Sequence, residues 1–219
     1  EGGTNMFLKL QASDISPEVL LPKVWPQIPE AITNLHMRGR ADLIVTMNGP
    51  FTKTTGPELD AVVRMSNGAL RFQETDVSDL NFDGRLYMKD VKRSKAMEIT
   101  FTTFSLRTPK GNVKGNGKLV DLVDPYLAIN AEGSSRIEEI LNVANVKEPT
   151  KGSGDVSWNL KFEGPLGHEF KTTLDEFRRM NWSGTVRFAD ADLTLNDNMP
   201  VFKKLNGTID MNASETQIS

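Results

Sequence analysis

Near its C-terminal end the chain carries the stretch GTVRFADADLTLNDNMPVFKKLNGTIDM (184–211), and an earlier stretch has nearly the same plan. In the later one, two strand-like runs, 185–188 and 208–211, each follow a glycine, and the polar run between them turns apolar again at Pro200-Val201-Phe202. In the earlier one, Gly68-Ala69-Leu70-Arg71-Phe72 leads through a loop at 79–83 to Gly84-Arg85-Leu86-Tyr87-Met88. The leading glycines lie 116 residues apart (68 to 184) and the second glycines 123 apart (84 to 207), so the later copy has the longer loop. A repeated unit limits the architecture before anything else does, because no unit buries its apolar side alone.

The match extends outward. Gly154-Asp155-Val156-Ser157-Trp158-Asn159-Leu160-Lys161-Phe162-Glu163-Gly164 repeats Gly39-Arg40-Ala41-Asp42-Leu43-Ile44-Val45-Thr46-Met47-Asn48-Gly49 at an offset of 115 (39 to 154). Gly164-Pro165-Leu166 falls on Gly49-Pro50-Phe51 at the same offset. Ser16-Pro17 places an N-cap and a first-turn proline at a helix start. Pro22 stops that helix, and Pro26 and Pro29 delay any resumption to about 30–35. Ser135-Arg136-Ile137-Glu138 is a capping box at the corresponding place and opens a helix to about Val143. These matches divide the chain into a first unit, 1–131, and a second, 132–219, which stops before the counterparts of 97–131 and leaves an open sheet edge. One segment conflicts: Thr173 to Glu176 reads as a capping box, yet Leu174–Met180 aligns with Leu59–Met65, whose two valines favour a strand. The alignment is preferred.

Nearly every candidate strand is apolar on one side and polar on the other. Met6, Leu8, Leu10 and Ala12 alternate with polar residues or Phe7; Leu70 and Phe72 flank Arg71; Trp158 and Leu160 flank Asn159; Val186 and Phe188 flank Arg187. That period of two, without long crossover helices, specifies antiparallel sheet with one dry and one wet side. The alternation from Met97 to Leu106 slips at Thr102-Thr103, which predicts a bulge. Lys89 to Lys95 reads as a basic hairpin loop and Thr108-Pro109-Lys110-Gly111 as a turn. The expected fold is therefore all-β with a few short helices: an elongated, curled antiparallel sheet of tandem units with one apolar, concave face. Either that face closes into a sandwich core, or it stays open as a trough.

Lys and Arg number 26 against 29 Asp and Glu, a net charge of −3, which disfavours a phosphate-backbone binder. Cysteine is absent, which removes thiol chemistry and disulfides and suits an oxidising envelope compartment. No apolar run approaches a membrane span. The Glu1-Gly2-Gly3 start reads as that of a segment from a longer chain. His36 and His168 stand alone; Asp190, Asp192 and Asp197 lack the spacing of a calcium loop. Lys110 to Gly117 precedes no helix, as a phosphate loop would. Lys89, Lys92, Arg93 and Lys95 suit anionic headgroups or, more simply, solvent. Asn181, Asn206 and Asn212 head glycosylation sequons, meaningful only in a eukaryotic secreted chain. No paired inward carboxylates point to glycoside chemistry, and no metal, cofactor or catalytic group is expected.

The run G-x-V-R-F-A-D-A-D-L-T-L, a loop, then P-V-F-K-K-L-N-G-T-I-D-M resembles the AsmA-like family, the relatives of TamB and YhdP. So do G-R-A-D-L-I-V-T-M-N-G and T-P-K-G-N-V-K-G-N-G-K-L, and the likeness covers most of 36–219. The resemblance implies a periplasmic body of repeated β units, held by an N-terminal membrane helix that this sequence lacks. It also implies a role in carrying phospholipid acyl chains along a groove between inner and outer membranes. The groove lining would then be Leu43, Val45, Met47, Leu70, Phe72, Trp158, Leu160, Phe162, Val186 and Phe188. The partners would be phospholipid or another acyl-chain lipid, with no nucleic acid and with self-association possible through sheet edges. The alternative is a structural or assembly scaffold of the envelope with a filled β core and protein partners.

Overall fold

The computed structural model describes residues 3–19, 36–72, 75–93, 97–121, 123–144, 151–167, 179–194, 201–212 and 216–218. Among these residues eleven strands form one antiparallel sheet in which every strand pairs with its neighbours in sequence, and the two outermost of them do not meet. They are β1 (Thr4–Ile15), β2 (Arg38–Phe51), β3 (Glu58–Phe72), β4 (Thr75–Met88), β5 (Met97–Thr108) and β6 (Gly111–Val120). Then come β7 (Tyr126–Arg136), β8 (Lys151–Pro165), β9 (Asn181–Thr194), β10 (Val201–Met211) and β11 (Thr216–Ile218). A helical turn, α1 (17–19), follows β1. A two-turn helix, α2 (Ile137–Ala144), follows β7. The chain exposes 14218 Å², against about 10,000 Å² for a compact monomer of this size. Each described strand packs chiefly on its sequence neighbours, with the helix on β7 and β8, as in one layer of sheet rather than two packed together.

Directly paired residues lie on the same side of an antiparallel sheet, so the register traces each side. One line runs Leu10–Val45–Ala61–Leu86–Ile99–Leu119–Leu127–Gly164. The line beside it is polar: Lys9–Thr46–Asp60–Tyr87–Glu98. Ion pairs bridge neighbouring strands on that polar side, among them Arg85–Asp60 at 2.7 Å, Lys114–Glu132 at 2.6 Å and Lys118–Glu98 at 2.8 Å. Each is solvent-exposed and stabilises by no more than about 1 kcal/mol, so these pairs set register more than stability.

Bulges bend the strands, and two hairpins share one device. In β3–β4, Asn67 takes a left-handed conformation (φ 53°) and its N–H donates to Asn81 Oδ1 at 3.1 Å. Asn81 Nδ2 then donates to the carbonyl of Asp79, itself left-handed (φ 49°), at 2.8 Å. In β9–β10, Asp190 (φ 47°) donates its N–H to Asn206 Oδ1 at 3.0 Å, and Asn206 Nδ2 donates to the carbonyl of left-handed Lys204 at 3.1 Å. Short amide and carboxylate side chains tolerate this conformation best, because they can bond locally to the backbone they distort. The bulge expected at Thr102-Thr103 is present: Phe101 pairs with Gly117 and Phe104 with Gly115, so two residues of β5 face one of β6.

Four expectations are corrected. The run 79–83 is strand, not loop; β3 runs unbroken through Gly68, the hairpin turns after Phe72, and β4 carries Leu80 and Phe82 inward. Gly68 and Gly184 are not equivalent: Gly68 pairs with Leu80 towards the C-terminal end of β3, whereas Gly184 pairs with Leu160 and Met211 at the start of β9. The boundary at 131/132 falls inside β7. Gly133 sits in mid-strand there, between Val113 and Trp158, where a Cβ would lie 2.7 Å from the Trp158 ring. β1 is an exposed edge rather than a half-buried strand, with Leu8 37% and Leu10 53% exposed. The segments 22–35 and 171–178, where a resumed helix and the strand-or-helix conflict were placed, lie outside the described residues.

Candidate functional site

The register sets all ten proposed lining positions on one side of the sheet. Leu43 lies in the line Ala12–Leu43–Val63–Gly84–Phe101–Gly117–Ile129–Phe162–Trp182. Val45 and Met47 lie in the next two lines towards the β2–β3 turn. Leu160 follows Ala131, Trp158 pairs with Val186, and Phe188 pairs with Val156 and Gly207. After the β3 bulge, Leu70 pairs with Val77 and Phe72 with Thr75; the Phe72 side chain lies outside the described residues. The sequence reading missed the middle of this side, Phe82, Leu86, Ile99, Phe101, Leu119, Leu127 and Ile129. The alternation in 97–106 and 117–131 signalled it, but the inserted residue at Thr102-Thr103 switches the apolar phase in mid-strand.

This side is not uniform. One cluster gathers Ala41, Met65 and Leu80 with Val63, Leu70, Phe82 and Leu106 around it. A second gathers Ile137 of α2 with Val156 and Ala191, and packs Trp158, Val186 and Phe188 against them. Three of the ten lining residues thus pack against the cluster that Ile137 of α2 joins, where Ala191 is 0% exposed. Among the described elements, α2 is the helix that packs on the sheet, over β8 and β7. Between the two clusters, aromatic rings lie across glycines: a Cβ on Gly115 would come within 2.8 Å of Phe104, and Phe162 and Trp182 meet edge to face at 4.6 Å.

The start of α2 is tied down by Glu139, which is 8% exposed. It accepts hydrogen bonds from Ser135 Oγ, Thr108 Oγ1 and, at 3.1 Å, the Lys110 N–H. The capping box was expected at Glu138; the partner of Ser135 is Glu139, one residue on. Glu138 instead pairs with Arg136 and Lys110. Its own backbone N–H, then Arg136 and Lys110, hold its carboxyl below the usual range. At the opposite end of the sheet, Asp90 accepts the Gly56 and Lys92 N–H groups at 2.8 and 2.9 Å, joining the β2–β3 and β4–β5 turns. Those bonds hold the Asp90 carboxyl low. Lys92, considered for headgroups, turns back instead, bonding the Thr52 and Lys53 carbonyls over the Phe51 ring.

Two open clefts, of about 410 and 380 Å³, lie on the polar side across β4–β8 and adjoin at Asn116 and Asn130. Those two amides bond each other at 3.0 Å. Asp190 and Asp192 serve the β9–β10 bulges; the Asp192 carboxylate accepts the Lys204 N–H at 2.8 Å. His36 is exposed with a φ of 42°, while His168, Asp197 and Lys95 lie outside the described residues. Among the described residues no group of three or more His, Asp or Glu side chains is placed to hold a metal ion, and no helix is long and apolar enough to cross a membrane.

Compared with family models, curated proteins and solved structures, the chain shows no match.

Proposed function

We propose that this chain is a segment of a periplasmic AsmA-like protein whose apolar sheet side shields phospholipid acyl chains on their way between inner and outer membranes. The proposal includes tandem β units, with no catalytic group and no cofactor. The observation that carries it is the unbroken line of apolar residues from Leu10 to Leu127, on a sheet whose described strands pack chiefly on their sequence neighbours. Moving an acyl chain into water costs about 0.8 kcal/mol per CH2. A chain of ~16 carbons therefore faces on the order of 13 kcal/mol, and a continuous apolar strip removes most of that barrier without any chemistry. The polar side, with its ion-pair ladder, would face the periplasm.

Photo-crosslinking residues at Leu86, Ile99 and Leu127 test this. Phospholipid adducts are expected from all three in envelopes, and none from Arg85 and Lys118 on the opposite side of the sheet. Absence of lipid at every apolar position, or equal labelling on both sides, would overturn it.

One observation favours a second reading, a non-catalytic envelope scaffold with protein partners. Over β8 and β9 the chain fills its own apolar side, with Ile137, Val156 and Ala191 packed out of solvent. In that case the same crosslinks trap protein and no lipid.

A further inference from the structure

Among the described residues, β1 is the first strand of the sheet and is paired on one edge only, with β2. Its side chains are unusually exposed: Phe7 72%, Leu10 53% and Leu8 37%. An exposed, twelve-residue edge with an apolar side is a template for another strand. The structure also holds an internal guide to which kind of strand.

The β1–β2 pair and the β7–β8 pair share one register. Met6–Gly49, Leu8–Met47, Leu10–Val45 and Ala12–Leu43 correspond, pair by pair, to Leu127–Gly164, Ile129–Phe162, Ala131–Leu160 and Gly133–Trp158. The offset is constant on each side, 121 for the first strand (6 to 127) and 115 for the second (49 to 164). A helical segment follows directly in both, α1 after β1 and α2 after β7. β7, unlike β1, has its other edge filled by β6, through Leu119–Leu127, Gly117–Ile129, Gly115–Ala131 and Val113–Gly133.

We infer that the free edge of β1 is a docking surface for an antiparallel strand of the β6 type. Such a strand presents glycine or an aliphatic residue opposite Met6, Leu8, Leu10 and Ala12, and a polar or cationic residue on the alternate positions. Phe7 stands where Ala128 stands in β7, and Ala128 faces Lys118. A lysine at that point of the partner would lie over the exposed Phe7 ring, and its stem would cover the ring edge. A second copy of this chain is a poor occupant, since its β6 is already enclosed by β5 and β7 and its other edge strand, β11, has three residues. The inference does not depend on lipid carriage.

A chimera tests it. Residues 111–125, that is β6 with its natural connection, are fused directly N-terminal to Asn5, with the rest of the chain intact. Tethering raises the local strand concentration to the millimolar range. Hydrogen exchange of the β1 amides is expected to slow about tenfold or more, with β10 and β11 unchanged. A control tether of the same composition in scrambled order should leave β1 exchange as it is in the parent. No slowing, or equal slowing with the scrambled tether, would overturn the inference. So would dimerisation of the parent chain that Leu10→Asp abolishes, because the occupant would then be a second β1.

Discussion

The same alternation of apolar and polar residues meets two different fates in this sheet. Where α2 packs on β8 the apolar side is closed, and Val156, Ile137 and Ala191 reach 6%, 5% and 0% exposure. Across β4–β7, Leu86, Ile99, Leu127 and Ile129 keep the same pattern but stay half-buried. The first region resembles a small closed core, in which each side chain is held by atoms on two sides. The second is bounded mainly by its strand neighbours. Alternation decides which side a residue faces; what lies on that side is decided elsewhere in the chain, here by eight residues of helix tied down through Glu139.

The sharpest way to break this contrast is a charge on each region. Val156→Asp should cost about 3 kcal/mol or more, since it buries an unpaired carboxylate beneath α2. Ile99→Asp should cost about 1 kcal/mol, because its carboxylate can reach water. Urea denaturation of the two variants measures both; equal losses would mean that the middle strip is as closed as the α2 patch.

Glycines at matching positions refine the comparison. Gly39 and Gly154, the first residues of the two matching stretches, have φ of 125° and 105°, a region that L side chains rarely adopt. A Cβ at Gly154 would lie 2.6 Å from both the Asp190 carbonyl and Ala191 Cα, and one at Gly39 2.9 Å from Gly68 Cα. Alanine at either should cost about 1–3 kcal/mol, with Gly154→Ala the worse because its neighbour Ala191 has no room to retreat. Thermal unfolding of the pair gives the ranking, and a milder Gly154→Ala would show that β9 shifts more freely than β3.

A smaller effect compares the bulges themselves. Asn81→Ala and Asn206→Ala each remove the acceptor for a left-handed N–H and the donor to a carbonyl two residues back. Each should cost about 1 kcal/mol. Asn206 is the more exposed of the two, so water replaces its bonds more easily and its loss should be the lesser. Urea denaturation of both variants checks the order.

These bulges also mark the limit of what the sequence discloses. The strands and their apolar side follow from period-two alternation, as in Trp158, Leu160 and Phe162 or Met6, Leu8 and Leu10, and so does the exclusion of parallel sheet. The bulge at Thr102-Thr103 is legible because the phase visibly slips there. The bulges at Asn67 and Asp79 are not: beside Gly68 and Gly84 they read as a loop between two short strands, and that misplaced the unit repeat. Asx residues and glycines carry the same turn chemistry whether the chain reverses or merely kinks. Only the partner strand, through the Asn81 amide, distinguishes the two. Of the lining, nothing local to Trp158 or Phe188 reveals that they pack against a cluster joined by Ile137 of α2.

The last comparison sets the two ends of the sheet against each other. At the α2 end, Glu139 gathers two hydroxyls and a backbone N–H; at the opposite end, Asp90 gathers two backbone N–H groups and lies 3.6 Å from Arg93. The Lys92 and Gly56 N–H groups lower the Asp90 carboxyl below its ordinary value. A depressed folded-state pKa means that the unfolded chain binds the proton more readily. The stabilisation from Asp90 is therefore complete above the ordinary carboxylate pKa of ~3.9 and fades as pH falls through the lower folded value. Asp90→Asn should lower the melting temperature by a constant amount above about pH 5, and by a shrinking amount below it. A difference between the two proteins that persists undiminished to about pH 2 would show that geometry at the turn, rather than the carboxylate charge, holds β2–β3 to β4–β5.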